Sequence, residues 1–581
     1  MKLLQHFKEL TIRPKNAKEL KGLILQLAIQ GKLTANWREE NSDLESASVL
    51  LKVIKKERIQ LIKEKKVRKG KPVQLIKKEE KYLEIPKNWV WTRLIEAGNI
   101  FNGNSVNKSI KAAKYEGLKE GLPYLGTKDV NYGFEVLNYD NGVKIPIDEP
   151  KFKIAHKNTA LICSEGGSAG KKCGITTQDI CFGNKLYALE QYGNIECVYI
   201  LSIYKTPVFF DVFQSKMTGI IGGVSINSFG EIPIPLPPLE EQKEIVKVVE
   251  TLFKEVEQLE KLTVARITLK EDFVTSALTQ LTTNKAKKEW AFLQDHFKNF
   301  FNEKTNIKKL RETVLQLAVQ GKLTADWREN NRDTEDASVL LKRIQKEKAQ
   351  LIKDKKIKKE KEFPAITEDE IPYGLPEGWV WCRMGSVTDI QRGSSPRPKG
   401  DPLYFSEEKT KNHWISIKDI SKHAKKNILL DTEEYLTDLG TKFSRYVKKN
   451  ELIVAVSGST TGKCCLTGID GFFYDGLAMV RLIGSSIDHQ YHLMYYLQLY
   501  NHMNDAKFGA AFPNINTKFL SEMMFPFPPL EEQKAIVQKV NALMGLCDRL
   551  EQEVQQSQEH SEMLMQSVLR EVFMGETKTI A

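Results

Sequence analysis

No apolar run in these 581 residues approaches the roughly 20 needed to cross a bilayer, so a membrane-spanning protein is not expected. The opening MKLLQHFKELTIRP lacks an apolar segment and a small-residue cleavage site, which argues against a secretory leader. Cysteine is sparse: eight residues, no CxxC pair, and Cys464 and Cys465 adjacent, where an ordinary disulfide cannot form. Reduced thiols in a cytoplasmic protein are the expectation. What is present is ordinary for a globular chain, with 41% hydrophobic and 28% charged residues. At roughly 150 residues per domain, the length predicts three to five domains.

The net charge of +12 raises the expectation of an anionic partner. Its placement matters more. Residues 95–233 are balanced and residues 385–524 carry only about +2, so neither has a whole-domain basic footprint. The excess lies in Lys52–Lys81 and Lys342–Glu362, where basic residues alternate with Glu and helix-spaced apolar residues. A solvated helix face is the default for such runs, with phosphate contact the minority reading.

Self-comparison shows a tandem repeat. LQLAIQGKLTANWREENSDLESASVLLKVIKKERIQLIKEKK, from Leu25, recurs from Leu315 with about three quarters of positions identical. IPKNWVWTRL, from Ile85, returns as LPEGWVWCRM from Leu375, and PLPPLEEQKEIV, from Pro235, as PFPPLEEQKAIV from Pro526. Between these marks each copy holds a diverged, domain-sized insert that keeps a faint frame. Lys128-Asp129-Val130 matches Lys418-Asp419-Ile420, LICSEGGSAGKK from Leu161 matches IVAVSGSTTGKC from Ile453, and Gly103 matches Gly393. SVLREVFMGE, from Ser567, echoes TVLQLAVQGK, from Thr313.

The inserts read as mixed α/β domains, with TALIC and ELIVAV as strands. After Pro238 a long helix begins, Glu240 and Glu241 suiting its first turn. Ile245, Val249, Leu252, Val256 and Leu259 then form a coiled-coil seam, repeated by Ile536, Val540, Leu543, Cys547, Leu550 and Val554. Each helix runs about 40 residues, some 60 Å, and mutual pairing would bury both seams. The fold class expected is α/β (α+β): two mixed domains separated and joined by long, paired, antiparallel helices in a pseudo-twofold repeat. The boundaries are a helical scaffold 1–85, a domain 86–233, a helix 234–282, a scaffold 283–375 repeating the first, a domain 376–524, and a helix with tail 525–581.

No catalytic set emerges. Asp401-Pro402-Leu403-Tyr404 resembles the amine-positioning loop of amino-methyltransferases but lacks its second proline and any Phe-x-Gly-x-Gly partner, so a turn is the default. SGSTTGK, Ser457–Lys463, resembles a phosphate loop without its first Gly or final Ser/Thr. Its sister EGGSAGKK shares the faults, which argues for a common strand turn. Glu149-Pro150-Lys151 lacks the Pro-Asp of a nuclease motif. His489 and His492, and Cys163, Cys173 and Cys181, are weak metal candidates, with buried thiols the better reading of the cysteines. No metal site is expected.

DNA reading falls to loops. Gln391-Arg392-Gly393-Ser394-Ser395-Pro396-Arg397 combines arginines suited to guanine O6 and N7 with small residues suited to phosphate. Asn102-Gly103-Asn104-Ser105 is the equivalent, with Asn suited to adenine. Lys128, Lys418, Lys171 and Lys463 are phosphate candidates, against a default of simple solvation.

With WVWTRL and WVWCRM, the paired PPLEEQK, and GKLTANWREEN and GKLTADWREN in hand, the chain resembles the specificity subunit of type I restriction–modification systems. It is most similar to the longer group carrying GKLTA-WRE-N before each domain. The resemblance covers nearly the whole chain. It implies two target recognition domains, each reading half of a bipartite, asymmetric site on double-stranded DNA, with the helices setting the unread gap. It implies no catalysis and no cofactor on this chain. Two modification (methyltransferase) subunits would supply S-adenosylmethionine chemistry, and restriction (motor/nuclease) subunits ATP- and magnesium-dependent cleavage. Two alternatives stay open: the specificity chain of a fused restriction–methylation enzyme, and a coiled-coil adaptor that binds no DNA.

Overall fold

The computed structural model describes residues 14–69, 72–219, 222–283, 287–423, 427–458, 460–505 and 515–574. The leading MKLLQHFKELTIR, Ser459 of the SGSTTGK run and the last two residues of the SVLREVFMGE echo lie outside them. Two compact units emerge: one runs to Ile267 and includes the chain from His560, the other is Thr268–Glu559. Among the described residues no helix is long and apolar enough to cross a membrane.

Within each unit three scaffold helices precede the insert. Pro14–Ile29, Ala35–Glu40 and Ala47–Lys63 have counterparts Lys304–Val319, Ala325–Asn330 and Ala337–Lys353. The third helix is capped by Ser46 in one copy and Asp336 in the other, each side chain accepting an N–H that the first turn leaves unpaired. The insert is closed by its own ends. Val90–Arg93 pairs antiparallel with Pro233–Leu236, and Val380–Arg383 with Met524–Phe527. A two-stranded ribbon tolerates the prolines there because no further strand needs their missing N–H. This ribbon is why the Trp-x-Trp and Pro-Pro-Leu marks bracket each domain.

Inside the first insert, one antiparallel sheet runs in the order Gly98–Asn102, Leu186–Gln191, Ala160–Cys163, Cys173–Ile175. A second, mixed sheet has Leu122–Leu125 parallel to Ile180–Phe182. The second insert keeps this plan with five strands in each sheet. The TALIC strand alternates as a two-sided strand must: Ala160 and Ile162 join the core facing the scaffold, Leu161 and Cys163 the core between the sheets. Leu452 and Val454, against Ile453 and Ala455, repeat the division.

After the ribbon come the long helices, Leu239–Thr282 and Leu530–Met574. The seam residues find different neighbours along their length. Ile245, Val249 and Val256, with Leu252 and Leu259 partly buried, pack on Ala17, Leu20 and Ile24 of the first scaffold helix. Ile536 and Val540, with Leu543, pack on Val314, Leu315 and Ala318. Cys547, Leu550 and Val554 share a core with Val274, Ala277 and Leu278 from the tail of the first long helix. In that second unit Lys304–Val319 runs antiparallel to the second long helix, Arg311 reaching Asp548 at 2.6 Å and Glu551 at 3.0 Å.

One buried carboxylate ties the three sequence marks together. Glu241, fully buried, accepts from Thr34 Oγ1 (2.8 Å), Arg38 Nε (3.1 Å) and Trp89 Nε1 (2.8 Å). Glu532 accepts from Thr324 Oγ1 (2.7 Å), Trp379 Nε1 (2.8 Å) and Arg328. Arg38 and Arg328 also donate to the carbonyls of Gly31 and Gly321. Gly31 has φ +67°, and a Cβ there would stand 2.6 Å from Pro86 Cγ, so the turn demands glycine twice over. Removing Glu241 leaves a guanidinium, an indole and a hydroxyl facing a void. Glu241→Ala should therefore cost about 3–5 kcal/mol in urea unfolding, and Glu241→Gln, which keeps an acceptor, clearly less.

Candidate nucleic-acid interface

In both domains the strand ends deliver four loops to one edge. In the first, the strand Gly98–Asn102 enters Asn102–Ser105. Gly103 has no room for a Cβ, which would overlap the Phe182 carbonyl, and the Asn104 N–H donates to that same oxygen at 2.9 Å. Gly183 N–H donates to Leu125 O, and Ser164 N–H to Lys185 O, both at 2.9 Å. The loops after residues 102, 125, 163 and 182 thus converge. The second domain repeats the constellation: Gly393 N–H donates to Leu477 O, Tyr474 N–H to Ile415 O, and Val456 N–H to Gly476 O. A Cβ on Gly393 would overlap the Tyr474 carbonyl.

Lys128 and Lys418 are exposed beside buried aspartates. Asp129 Oδ2 accepts the Gly126 N–H at 2.8 Å, and Asp419 Oδ2 the Ser416 N–H at 2.8 Å, so the shared Lys-Asp pair is an inward anchor with an outward cation. Lys171 is exposed, 5.7 Å over the Phe210 ring. Its neighbour Lys172 ties the loop to Thr127 O at 3.1 Å. Lys463 is half-buried at the end of Ser457–Lys463, which joins the antiparallel strands Leu452–Ala455 and Cys464–Thr467. That turn leads to a strand, whereas a phosphate loop needs a helix behind it.

The loops differ in what holds them. In the second domain Asp475 organises the loop: its main-chain oxygen accepts from Arg392 Nε (2.7 Å), its carboxylate from Arg397 Nη2 (2.8 Å), and its N–H donates to Ser395 Oγ (3.1 Å). Ser444 Oγ donates to Ser394 O at 2.8 Å, and Gln391 Nε2 to Asp389 at 2.6 Å. In the first domain Lys153 takes this place. Its Nζ donates to Asn102 O (2.9 Å) and Oδ1 (3.2 Å), and its N–H to Asn104 Oδ1 (2.9 Å). Ser105 is exposed beside them. Sequence reasoning found neither Asp475 nor Lys153. The aligned turns FGNKL from Phe182 and FYDGL from Phe473 were the available signal for the fourth loop.

The metal candidates resolve otherwise. Cys163, Cys173 and Cys181 are free and buried, and burial pushes the Cys163 thiol up to about 12 and Cys181 to about 11. Among the described residues no group of three or more His, Cys, Asp or Glu is placed to hold a metal ion. His492 is fully buried among Tyr496 and Phe525, with neither ring nitrogen partnered among the described residues. Burial first, and His489 second, pull its imidazole down to about 3. The unfolded chain binds that proton near pH 6.5 and the folded chain does not, so stability is lost as pH falls from about 6.5 towards 3. Urea unfolding should show a loss of about 2 kcal/mol between pH 7 and pH 5 from this group, and His492→Phe should abolish that part.

The sequence is similar to that of known proteins. The sequence profile of the family described as "Type I restriction modification DNA specificity domain" matches residues 86–268 and 376–559. The specificity subunit of the type I restriction enzyme EcoAI from Escherichia coli is 30% identical, covering 92% of this chain and 90% of its own. That of EcoEI, also from Escherichia coli, is 28% identical, covering 93% and 91%. That of MjaVIII from Methanocaldococcus jannaschii is 23% identical over 85% and 94%. A solved HsdS subunit from Thermoanaerobacter tengcongensis is 18% identical, covering 86% of this chain and 99% of its own, with a TM-score of 0.42.

Proposed function

The chain belongs to the family of type I restriction–modification DNA specificity proteins, and on that premise we propose that it is the sequence-specificity subunit of such a complex. Residues 86–233 and 376–524 each read one half of a bipartite, asymmetric site on double-stranded DNA. The observation that carries this is the repeated four-loop edge, whose frame is kept while its side chains change. Arginine and glutamine at one edge and asparagine at the other are different donor and acceptor sets for base edges. Lys128, Lys171, Lys418 and Lys463 serve as phosphate contacts that fix register without reading sequence.

The chemistry belongs to other chains in this reading. Two modification subunits bring S-adenosylmethionine and methylate adenine, and restriction subunits bring ATP-driven motion and magnesium-dependent cleavage. The specificity chain positions the target base, which must leave the stacked duplex to be methylated. The long helices, 44 and 45 residues, fix the gap between half-sites. A helix of that length spans about 66 Å, more than the 34–36 Å of one DNA turn.

Replacing residues 376–524 with another subunit's domain should change one half of the methylated motif, mapped across a genome, and leave the other intact. A change in both halves would refute modular reading. A complex that assembles yet methylates no defined motif would favour the adaptor, and a single partner chain carrying both methyltransferase and nuclease would mark the fused system. Inserting four residues, about one turn, within 260–272 should lengthen the unread spacer, because this stretch lies between the two packed parts of the helix. An unchanged spacer would remove the ruler.

A further inference from the structure

The two copies diverge where scaffold meets domain. In the second unit Lys348 is buried, and its Nζ donates to Glu360 (2.7 Å), to Thr388 O (2.9 Å) and to Gly385 O. The Phe363 ring lies against Gly385, where it leaves no room for a Cβ. Lysine, carboxylate and ring together fill the junction. In the first copy the equivalent positions hold Arg58, Gly70, Val73 and Ile95. The neutralising acid and the filling ring are both gone, and a cleft of about 650 Å³ opens there.

Cations line that cleft. Arg58, Lys66, Arg68, Lys69 and Lys153 border it, with Glu190 and Glu231 on the wall. Lys66 is paired with Glu64, whereas Arg58, Arg68 and Lys69 make no ion pair within 4 Å among the described residues. Crowding is evident at Lys153, whose ammonium is held below its ordinary value by burial and then by Arg68. Asn102 is part of the same wall, and Lys153 donates to it. The cleft is therefore continuous with the first recognition edge. Like charges this close are stable chiefly when an anion enters, and a groove beside a base-reading loop meets phosphates at regular spacing along a strand.

We propose that this cleft is a phosphate clamp, present in the first copy and filled in the second, that holds the sugar–phosphate backbone of the duplex flanking the half-site read by residues 86–233. The proposal rests on the DNA-reading function above and deepens it: half-site affinity is asymmetric, with the first domain anchored by Arg58, Arg68 and Lys69 and the second by its own edge alone. Because the cations meet backbone, they add affinity without altering the bases chosen.

The test uses the full chain assembled with its methyltransferase partner and a duplex carrying the motif that the wild-type complex methylates. Dissociation constants are measured across a salt series for wild type, for Arg68→Ala/Lys69→Ala, for the same pair with Arg58→Ala, and for the control Lys358→Ala/Lys359→Ala. Arg68 and Lys69 are exposed, so the double variant tests the clamp without disturbing the core. The clamp predicts a salt slope flattened by about 0.9 for each phosphate no longer neutralised, affinity reduced about tenfold or more for the triple variant, and an unchanged methylated motif. The control should differ from wild type by less than about twofold. An unchanged slope in both clamp variants, an equal effect from the control, or an altered motif would each overturn the clamp. If wild type itself shows no preference for its motif, the function proposed above fails instead, whatever the variants do.

Discussion

Each half of this protein turns on a carboxylate that cannot be hydrated. Glu241 and Glu532 sit in the first turn of a long helix with their charge turned inward, where the donors of Thr34, Arg38, Asn88 and Trp89, or of Thr324, Arg328 and Trp379, replace water. Burying an ion pair adds little net stability, because desolvation offsets most of the attraction, but losing one partner is costly. Such a contact acts as a register device. It admits one arrangement of scaffold turn, domain entry and helix start, and penalises the rest. The adjacent glutamines reinforce it: Gln242 accepts the Glu196 N–H at 3.0 Å, and Gln533 the Asp488 N–H at 2.7 Å, tying each long helix to the start of a domain helix, Cys197–Tyr204 or His489–Asp505.

That constraint explains how divergence is distributed. Residues around the carboxylate must satisfy several donors at once, so the two copies agree there almost residue for residue. The four-loop edges obey a weaker rule. Their backbones are fixed by close approaches at Gly103 and Gly393, while their side chains are braced by whichever partner suits them, Lys153 in one domain and Asp475 in the other. A frame that fixes main chain and frees side chains is what a reader of variable sequence requires.

Charge follows the same division. The balanced insert charges are compatible with base reading at the edges, where a few oriented donors matter more than total charge. The basic run Lys52–Lys81 reads in the sequence as a solvated helix face, and through the helix Ala47–Lys63 it largely is. Beyond Lys63 it leaves the helix and lines the cleft, whereas in its counterpart Lys348, within Ala337–Lys353, turns on Glu360 beyond the helix end.

The sequence by itself determined the repeat, the inserts and their strands, the helix starts and the family, because local periodicity and repeated motifs are written along the chain. It expected Asn102–Ser105, Gln391–Arg397 and the four lysines on loops, since glycine and polar residues punctuate strands, whereas Asn102, Gln391 and Arg392 close strands, Lys128 sits in a 3-10 turn and Lys418 in the helix Ile417–His423. Only tertiary structure decided why GKLTA, the Trp-x-Trp entry and LEEQ occur together, because their meeting at one carboxylate joins residues some 200 positions apart. It also decided that the seam changes neighbours along its length, from scaffold helix to the tail of the other long helix, which identical heptad spacing cannot reveal. Lys153 and Asp475 were invisible for the same reason: a brace is defined by what lies across from it, and a lone sequence records only what lies beside it.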